Sequence, residues 1–326
     1  MRLDRRQWLA LAAGVWLLPA RAAWHERRTL FGSPADLLVP PGTPPRAVAA
    51  VWRGLETMNR QWNAWKPGEV TALNQAFAAG RSVAVSPALR GLIQGAAALE
   101  RLSLGCFNAG IGGLVGQWGF HDDVMRPGRM PQGDELAPWM AARPSLAQVD
   151  LQGRRIFSRN PRLQLDFGGY AKGVALDWAL DRLQMAGVAD ALINLGGNLA
   201  AMGQTPGRPW QVGVRDPFGP GLAAQLATAG REAVVTSGSY ERFRLLDGRR
   251  MTHVLDPRSG APAPELESVT VVHPSAALAD AAATALLVAG PLAWPQVAQN
   301  MGVDQVLVIG RDGRQSATPR LRARLG

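Results

Sequence analysis

Apolar residues fall at positions 48, 51, 52, 55, 58 and 62, a spacing of three and four that predicts an amphipathic helix over Ala47–Trp62. A similar stripe predicts a helix over Pro87–Leu104, with Ser86 as N-cap and proline in the first turn. Between them AWKPGEVTALNQAF reads as a turn and a short helix. Elsewhere the period drops to two. Thr29–Leu38 reads as an edge strand broken at Gly32 and Pro34, and Trp210–Arg215, Ala233–Ser237, Ser268–His273 and Val303–Ile309 read as further strands. Arg242–Val254 reads as a hairpin turning at Asp247-Gly248. The longest patterned stretch, Leu165–Gly203, predicts a strand ending at Asp166, a glycine turn, a helix, and two strands around Gly196-Gly197. Pro274–Ala289 predicts a helix in which Asp280 is the sole ionisable group between His273 and Asp304. Residues 121–144 carry Pro, Gly and charge without periodicity and are expected to form a loop insertion.

Composition narrows the class. The 326 residues are 47% apolar and 18% charged, which fits one folded globular unit after an N-terminal leader and excludes a disordered chain. Residues 1–22 have the order of an export signal: the pair Arg5-Arg6, an apolar run from Trp8 to Leu18, and the small-x-small site Ala20-Arg21-Ala22. The arginine pair points to the twin-arginine route and hence a periplasmic protein, and no cysteine near the cleavage site suggests a lipoprotein. No window beyond the leader reads as membrane-spanning. Cys106 is the one cysteine, so no internal disulfide forms and stability rests on the core. The net charge of +10 is scattered, without basic runs interleaved with aromatics, zinc-finger spacing or a helix-turn-helix, so no nucleic-acid partner is expected. Only two cations are lysines, Lys66 and Lys172, and Lys172 sits just after the Gly168-Gly169 turn.

That turn, between Asp166 and Lys172, has the makings of an anion cradle, although the two charges alone also fit a surface ion pair. Asp280 and Thr284, one helical turn apart, put a carboxylate and a hydroxyl on one face, with Cβ atoms about 5–6 Å apart. Such oxygens suit a hard cation such as Mg2+, or equally a helix N-terminus and a small core gap. His253, at the end of the hairpin, reads as a structural imidazole or as a base. The glycines at 110, 112 and 116 miss the dinucleotide-binding spacing and follow a helix instead of a strand.

Taken together, LDFGGYAKGVALD, ALINLGGNLAAMG, WQVGVRDP, VVTSGSYERF, THVLDPRSGAP, SVTVV and ADAAATALLVAG resemble, in order and in spelling, the motifs of the ApbE flavin-transferase family, the FAD:protein FMN transferases. The resemblance spans nearly all of the chain after the leader. It implies an α+β protein with a T-fold-like core of mixed sheets and packed helices. It also implies a Mg2+-dependent enzyme that takes FAD and moves its FMN half onto a Thr or Ser hydroxyl of an acceptor flavoprotein subunit, releasing AMP. That acceptor would be exported or lie near membrane redox complexes. By the same resemblance Asp280 and Thr284 match the metal-binding helix and Gly169 the residue offering a backbone carbonyl to the ion. Asp166 and Lys172 match positions that hold FAD, Val254 lines its site, Asn74 ends the N-terminal motif near the flavin, and His253 stands where a base would accept the hydroxyl proton. Trp65 occupies a position that often carries an aromatic, where it would stack on the flavin or belong to the core.

Two departures stand out. Before WGF the family has F-D-x-T, whereas this chain has Phe107-Asn108-Ala109-Gly110, so a carboxylate and a hydroxyl are replaced where Asn108 would still hydrogen-bond FAD. NAWKPGEVTALN is one residue short after Pro67 and begins with Asn63 in place of serine. Two other functions therefore stay open: a Mg2+-dependent FAD pyrophosphatase, and a periplasmic FAD-binding protein without catalysis.

Overall fold

The computed structural model describes residues 15–17, 24–205, 207–263 and 265–325. In chain order the elements are β1 (Val15–Leu17), β2 (Trp24–Leu30), β3 (Ser33–Val39), α1 (Pro45–Gln61), α2 (Glu69–Ala78), β4 (Val83–Ala84), α3 (Pro87–Leu102), α4 (Gly112–Gln117), α5 (Gly133–Ala142), β5 (Val149–Gln152), β6 (Arg155–Ser158) and α6 (Ala171–Met185). They continue with β7 (Ala191–Leu195), β8 (Asn198–Met202), β9 (Gln211–Arg215), β10 (Leu222–Ala227), β11 (Glu232–Gly238), β12 (Phe243–Leu246), β13 (Arg249–Thr252), β14 (Leu266–His273), α7 (Ala276–Met301), β15 (Val306–Gly310), β16 (Gln315–Ala317) and α8 (Pro319–Arg322).

The organising layer is an eight-stranded antiparallel sheet in the order β16-β15-β14-β11-β8-β7-β3-β2. Both faces of the central strands β7 and β8 are buried, so they read as apolar runs interrupted only by the buried Asn194 and Asn198. Alternate residues serve different cores. Ile193, Val235, Val271 and Val308 pack with the helices, while Leu192, Val234, Val272 and Leu307 pack toward Val212 and Val214 of β9. On the helical face α7 lies along β11 and β14, α6 packs between α1 and α7, and the α+β class follows from that layering. A third, smaller cluster joins Leu114 and Trp118 to Trp139 of α5 and Leu246 of the β12–β13 hairpin.

Several boundaries differ from the sequence reading, each for a local reason. The expected edge strand is a hairpin, β2–β3, because Phe31 and Gly32 both take positive φ (51° and 72°) and reverse the chain. No strand leads into Asp166; Gln164 makes only an isolated bridge to Ile111. Ten residues of the expected loop 121–144 fold as a helix: α5 forms because its Asp134 and Glu135 sit in the first turn and Trp139 buries against Gly113. The expected export signal lies outside the described residues except for β1, which pairs antiparallel with β9. Finally, α7 is long and apolar enough to cross a membrane by length and composition, a property the sequence reading overlooked. Residues 276–290 are mostly buried against the sheet and α6, and Gly290 (φ 76°, ψ −179°) interrupts the helix one residue after the expected end at Ala289.

Candidate active site

The site forms where α6 and α7 start side by side. Gly173 permits this approach, since a Cβ there would lie 2.3 Å from the Ala276 carbonyl oxygen. Asp177, one turn further along α6, accepts hydrogen bonds from the N–H groups of Ala276 and Ala277 (2.9 and 3.0 Å) and from the Ser275 hydroxyl (2.9 Å). A carboxylate on the positive end of α7 thereby fixes the helix that carries Asp280 and Thr284.

Asp280 is 2% exposed, and both its oxygens are occupied. Oδ2 accepts from the Gly173 N–H at 2.9 Å and Oδ1 from the Asn198 side-chain amide at 2.8 Å. Burial pushes its pKa up, and the Lys172 charge with these two donors offsets part of the push. Thr284 Oγ1 lies 3.3 Å from Ser237 Oγ, and Gly169 presses against it so closely that a Cβ would sit 2.7 Å from that oxygen. Lys172 has no hydrogen-bond or ion-pair partner among the described residues, and its charge acts on Asp280, Glu241 and His253.

His253 donates from Nδ1 to the Arg242 carbonyl at 2.9 Å, since a carbonyl can only accept. That bond leaves Nε2 as the ring's lone-pair nitrogen. Burial lowers the imidazole pKa to about 4, helped by the Arg242 and Lys172 charges against the opposing Arg242 carbonyl and Asp166, so the ring is neutral at pH 7. Phe120 meets it edge-on at 6.3 Å.

Asp166 lies in the wall opposite in sequence to this group. Its N–H donates to the Ala109 carbonyl (2.8 Å), and Gly110 and Gly112 bond the backbone of Gln164. The Asn108-Ala109-Gly110 segment is thus laid beside Asp166. Asn108 holds the loop by accepting from Gly110 N–H at 2.7 Å and donating to the Pro144 carbonyl at 2.8 Å. Asn74 spends both ends of its amide on the Leu165 backbone, at 3.0 and 2.7 Å, and so sets Asp166 in place from behind. Burial alone would raise the Asp166 carboxyl; the hydrogen bond and charge of His121, the Gly168 N–H and the Arg242 charge outweigh it and hold the pKa below the usual carboxylate range. Trp65 stacks on His121 with centroids 5.3 Å apart and 19° between planes, and the Arg242 guanidinium lies 5.3 Å from the Trp65 ring. Val254 is 7% exposed, and its carbonyl accepts from Ala263.

Sequence reasoning missed five members of this arrangement. His121 fell inside the segment expected to be an insertion, yet it pairs with Asp166 at 2.9 Å. Arg242 joins Trp65, His253 and the Phe120 carbonyl. Asn198 and Ser237 support Asp280 and Thr284. Glu241 is a buried carboxyl whose Oε1 has no hydrogen-bond partner among the described residues. Burial pushes its pKa up to about 7, with Lys172 and Arg215 pulling it down and Asp280 raising it further. All five stand within or directly after the stretches VVTSGSYERF, NLGGNL and WGF, so the signal was present without an assigned role.

The described residues hold no cluster of three His, Cys, Asp or Glu side chains, which argues against a transition-metal centre built from such ligands there. They do fit a hard cation. Asp280 is a buried carboxyl raised in pKa, Glu241 Oε1 is buried without a partner among the described residues, and Asp280 and Thr284 stand one turn apart on α7 with Gly169 against the Thr284 hydroxyl, the few hard oxygen donors that Mg2+ supplements with water and phosphate.

An antiparallel sheet backed by helices, with a neutral imidazole and a buried carboxylate in the field of one lysine, defines an α+β protein. The comparisons supply the family. A family model described as "ApbE family" matches residues 31–307, and the chain belongs to that family. It is 41% identical over 321 residues to a FAD:protein FMN transferase of Rhodobacter capsulatus, covering 97% of this chain and 61% of that one. With a protein of the same name from Klebsiella pneumoniae it shares 39% identity, over 60% of each chain. The chain thus spans about three fifths of the length of these two relatives. Among solved structures it resembles the Thermotoga maritima ApbE protein (TM-score 0.84, 26% identity, 92% of this chain and 98% of that one). It also resembles the Pseudomonas stutzeri flavinyl transferase ApbE in its apo form (TM-score 0.81, 27% identity, 93% and 97%).

Proposed function

We propose that this chain transfers the FMN moiety of FAD to a Thr or Ser hydroxyl of an acceptor flavoprotein and releases AMP, acting in the periplasm after export. The observation that carries this reading is the tautomer of His253: its Nδ1–H is committed to Arg242, and the neutral ring of this half-buried residue keeps Nε2 free within the field of Lys172. Family membership and the names of the relatives support it.

In this reading Nε2 of His253 takes the proton of the acceptor hydroxyl. The freed oxygen forms a bond to the FMN phosphorus as the bond from that phosphorus to the bridging oxygen breaks, and AMP leaves with that oxygen. Lys172 places an unpaired ammonium where negative charge grows on the phosphates. Asp166, held by His121, Gly168 and Asn74, orients the flavin nucleotide, and the Asn108–Gly110 loop and Val254 line its bed. Asp280, Thr284 and Gly169 would hold Mg2+, which when bound would supply charge neutralisation to the pyrophosphate.

The test is to mix the protein with FAD, MgCl2 and a purified acceptor domain bearing its target Thr, and to follow masses. An FMN-sized gain on the acceptor, absent when that Thr is replaced by Ala, is the expected result. AMP plus free FMN without an adduct would mean that water is the nucleophile, and unchanged co-purifying FAD would mean a binding protein.

A further inference from the structure

Outside the site lies a cavity of about 560 Å³ whose lining includes Phe218, Arg249, Arg250, Thr252, Glu267 and Arg311. It adjoins the reaction centre through the chain itself: Thr252 ends β13 in the cavity wall, and the next residue is His253. Its charge is preset. Glu267, 3% exposed, accepts a hydrogen bond from Arg250 and lies 3.7 Å from Arg311, so one buried carboxylate holds two guanidinium groups in fixed positions. Arg249 has no hydrogen-bond or ion-pair partner among the described residues and is exposed. Three arginines therefore stand against one carboxylate, and each guanidinium keeps several N–H donors unused. Apolar surface flanks them: Phe218 is 57% exposed, and Phe243, with the Arg250 guanidinium 5.5 Å from its ring centroid, is 37% exposed.

We propose that this arginine-lined cavity docks the acceptor protein, receiving Asp or Glu side chains of the segment that bears the target hydroxyl while neighbouring apolar residues cover Phe218 and Phe243. The inference rests on the transferase reading above and adds to it the partner's chemistry and its place of contact. Two features select a polypeptide over a free anion. A cavity of arginines bordered by exposed aromatics matches a surface with both acidic and apolar side chains. Its wall also includes Thr252, next in the chain to His253, which suits an extended polypeptide better than a detached ion.

Arg249 and Arg311 are exposed and lie outside the catalytic groups, so Arg249→Glu, Arg311→Glu and the double variant test the proposal. In the mass assay with the soluble acceptor domain, each charge reversal is expected to raise the acceptor KM by roughly tenfold at low salt. It should leave kcat and the FAD dissociation constant near wild type; Arg249→Glu should also keep the wild-type melting temperature, whereas Arg311→Glu, which sets a carboxylate against the buried Glu267, should lower it. The wild-type KM should climb with added NaCl, and that of the double variant should respond less. An acceptor with its acidic residues near the target Thr changed to Lys should fail with wild type and recover with the double variant. Unchanged KM in the double variant overturns the proposal. So does a parallel loss of FAD affinity, which would make the cavity part of the nucleotide site. Loss of binding to phosphatidylglycerol vesicles with unchanged KM for the soluble acceptor would make it a membrane contact instead. If wild type itself transfers no FMN, the transferase reading fails and takes the docking with it; if wild type transfers and the variants match it, only the docking fails.

Discussion

Arg242 shows how much a single residue coordinates: its carbonyl fixes the His253 tautomer, and its guanidinium touches Trp65 and the Phe120 carbonyl. Replacing His253 by Ala should slow FMN transfer by roughly 10²–10⁴-fold. FAD affinity should stay within a few fold, measured by fluorescence quenching, and loss of FAD without a rate effect would count against its role as base. Because its pKa is lowered to about 4, the acid limb of kcat/KM assigned to His253 should appear near pH 4 and not near 6.5. Asp280→Ala should abolish turnover, and full activity in that variant would remove the metal assignment. Glu241 gives a separable signal. Its folded pKa of about 7 exceeds the 4.5 of an ordinary glutamate, so its contribution to stability is complete below pH 4.5 and is lost as pH rises through 7. Glu241→Gln should then match the wild-type melting temperature best in acid and exceed it by several degrees above pH 8. An equal difference at all pH values would contradict that pKa. Asp166, Lys172, His253, Asp280 and Thr284 were legible because each belongs to a long motif. Arg242 and Glu241 stood in such a motif too, but burial and the partners that give them work are invisible in a linear string.

At the scale of elements, the site depends on two helix starts held in register. Gly173→Ala would drive a methyl into the Ala276 carbonyl, and neither helix can retreat without leaving the sheet. The expected cost is about 1–3 kcal/mol, seen as a lower denaturant midpoint, with FAD affinity lost more steeply than in variants of equal stability elsewhere. A variant with wild-type stability and FAD affinity would show that α6 and α7 have slack. The helices themselves were readable from the apolar stripes, to within one or two residues at α1 and α3. The strand expected before Asp166 was not. That segment is apolar because it is buried, but its backbone bonds go to the 109–112 loop and to Asn74, not to a neighbouring strand. The helix α5 was hidden in the opposite way, since a polar Pro-rich stretch gave no periodic signal and one buried Trp139 anchors it.

For the whole molecule, the leader and the fold make separate claims. Changing Arg5 and Arg6 together to Lys should strand the protein in the cytoplasm, checked by fractionation and by N-terminal sequencing of the exported form, which should begin at Ala23. Export unaffected by the double change would rule out the twin-arginine route. The sequence by itself determined the family, most of the helices and strands, and most of the residues whose chemistry the site needs. These are encoded locally, in period, in turn glycines and in motif spelling. Only the tertiary structure decided that residues 121 and 166, 173 and 276, or 242 and 253 meet, that Asn74 faces the Leu165 backbone, and that three arginines line one cavity. Those depend on which elements bury which surfaces against one another, and on desolvation that shifts His253 down and Glu241 up, neither of which any short stretch of chain contains.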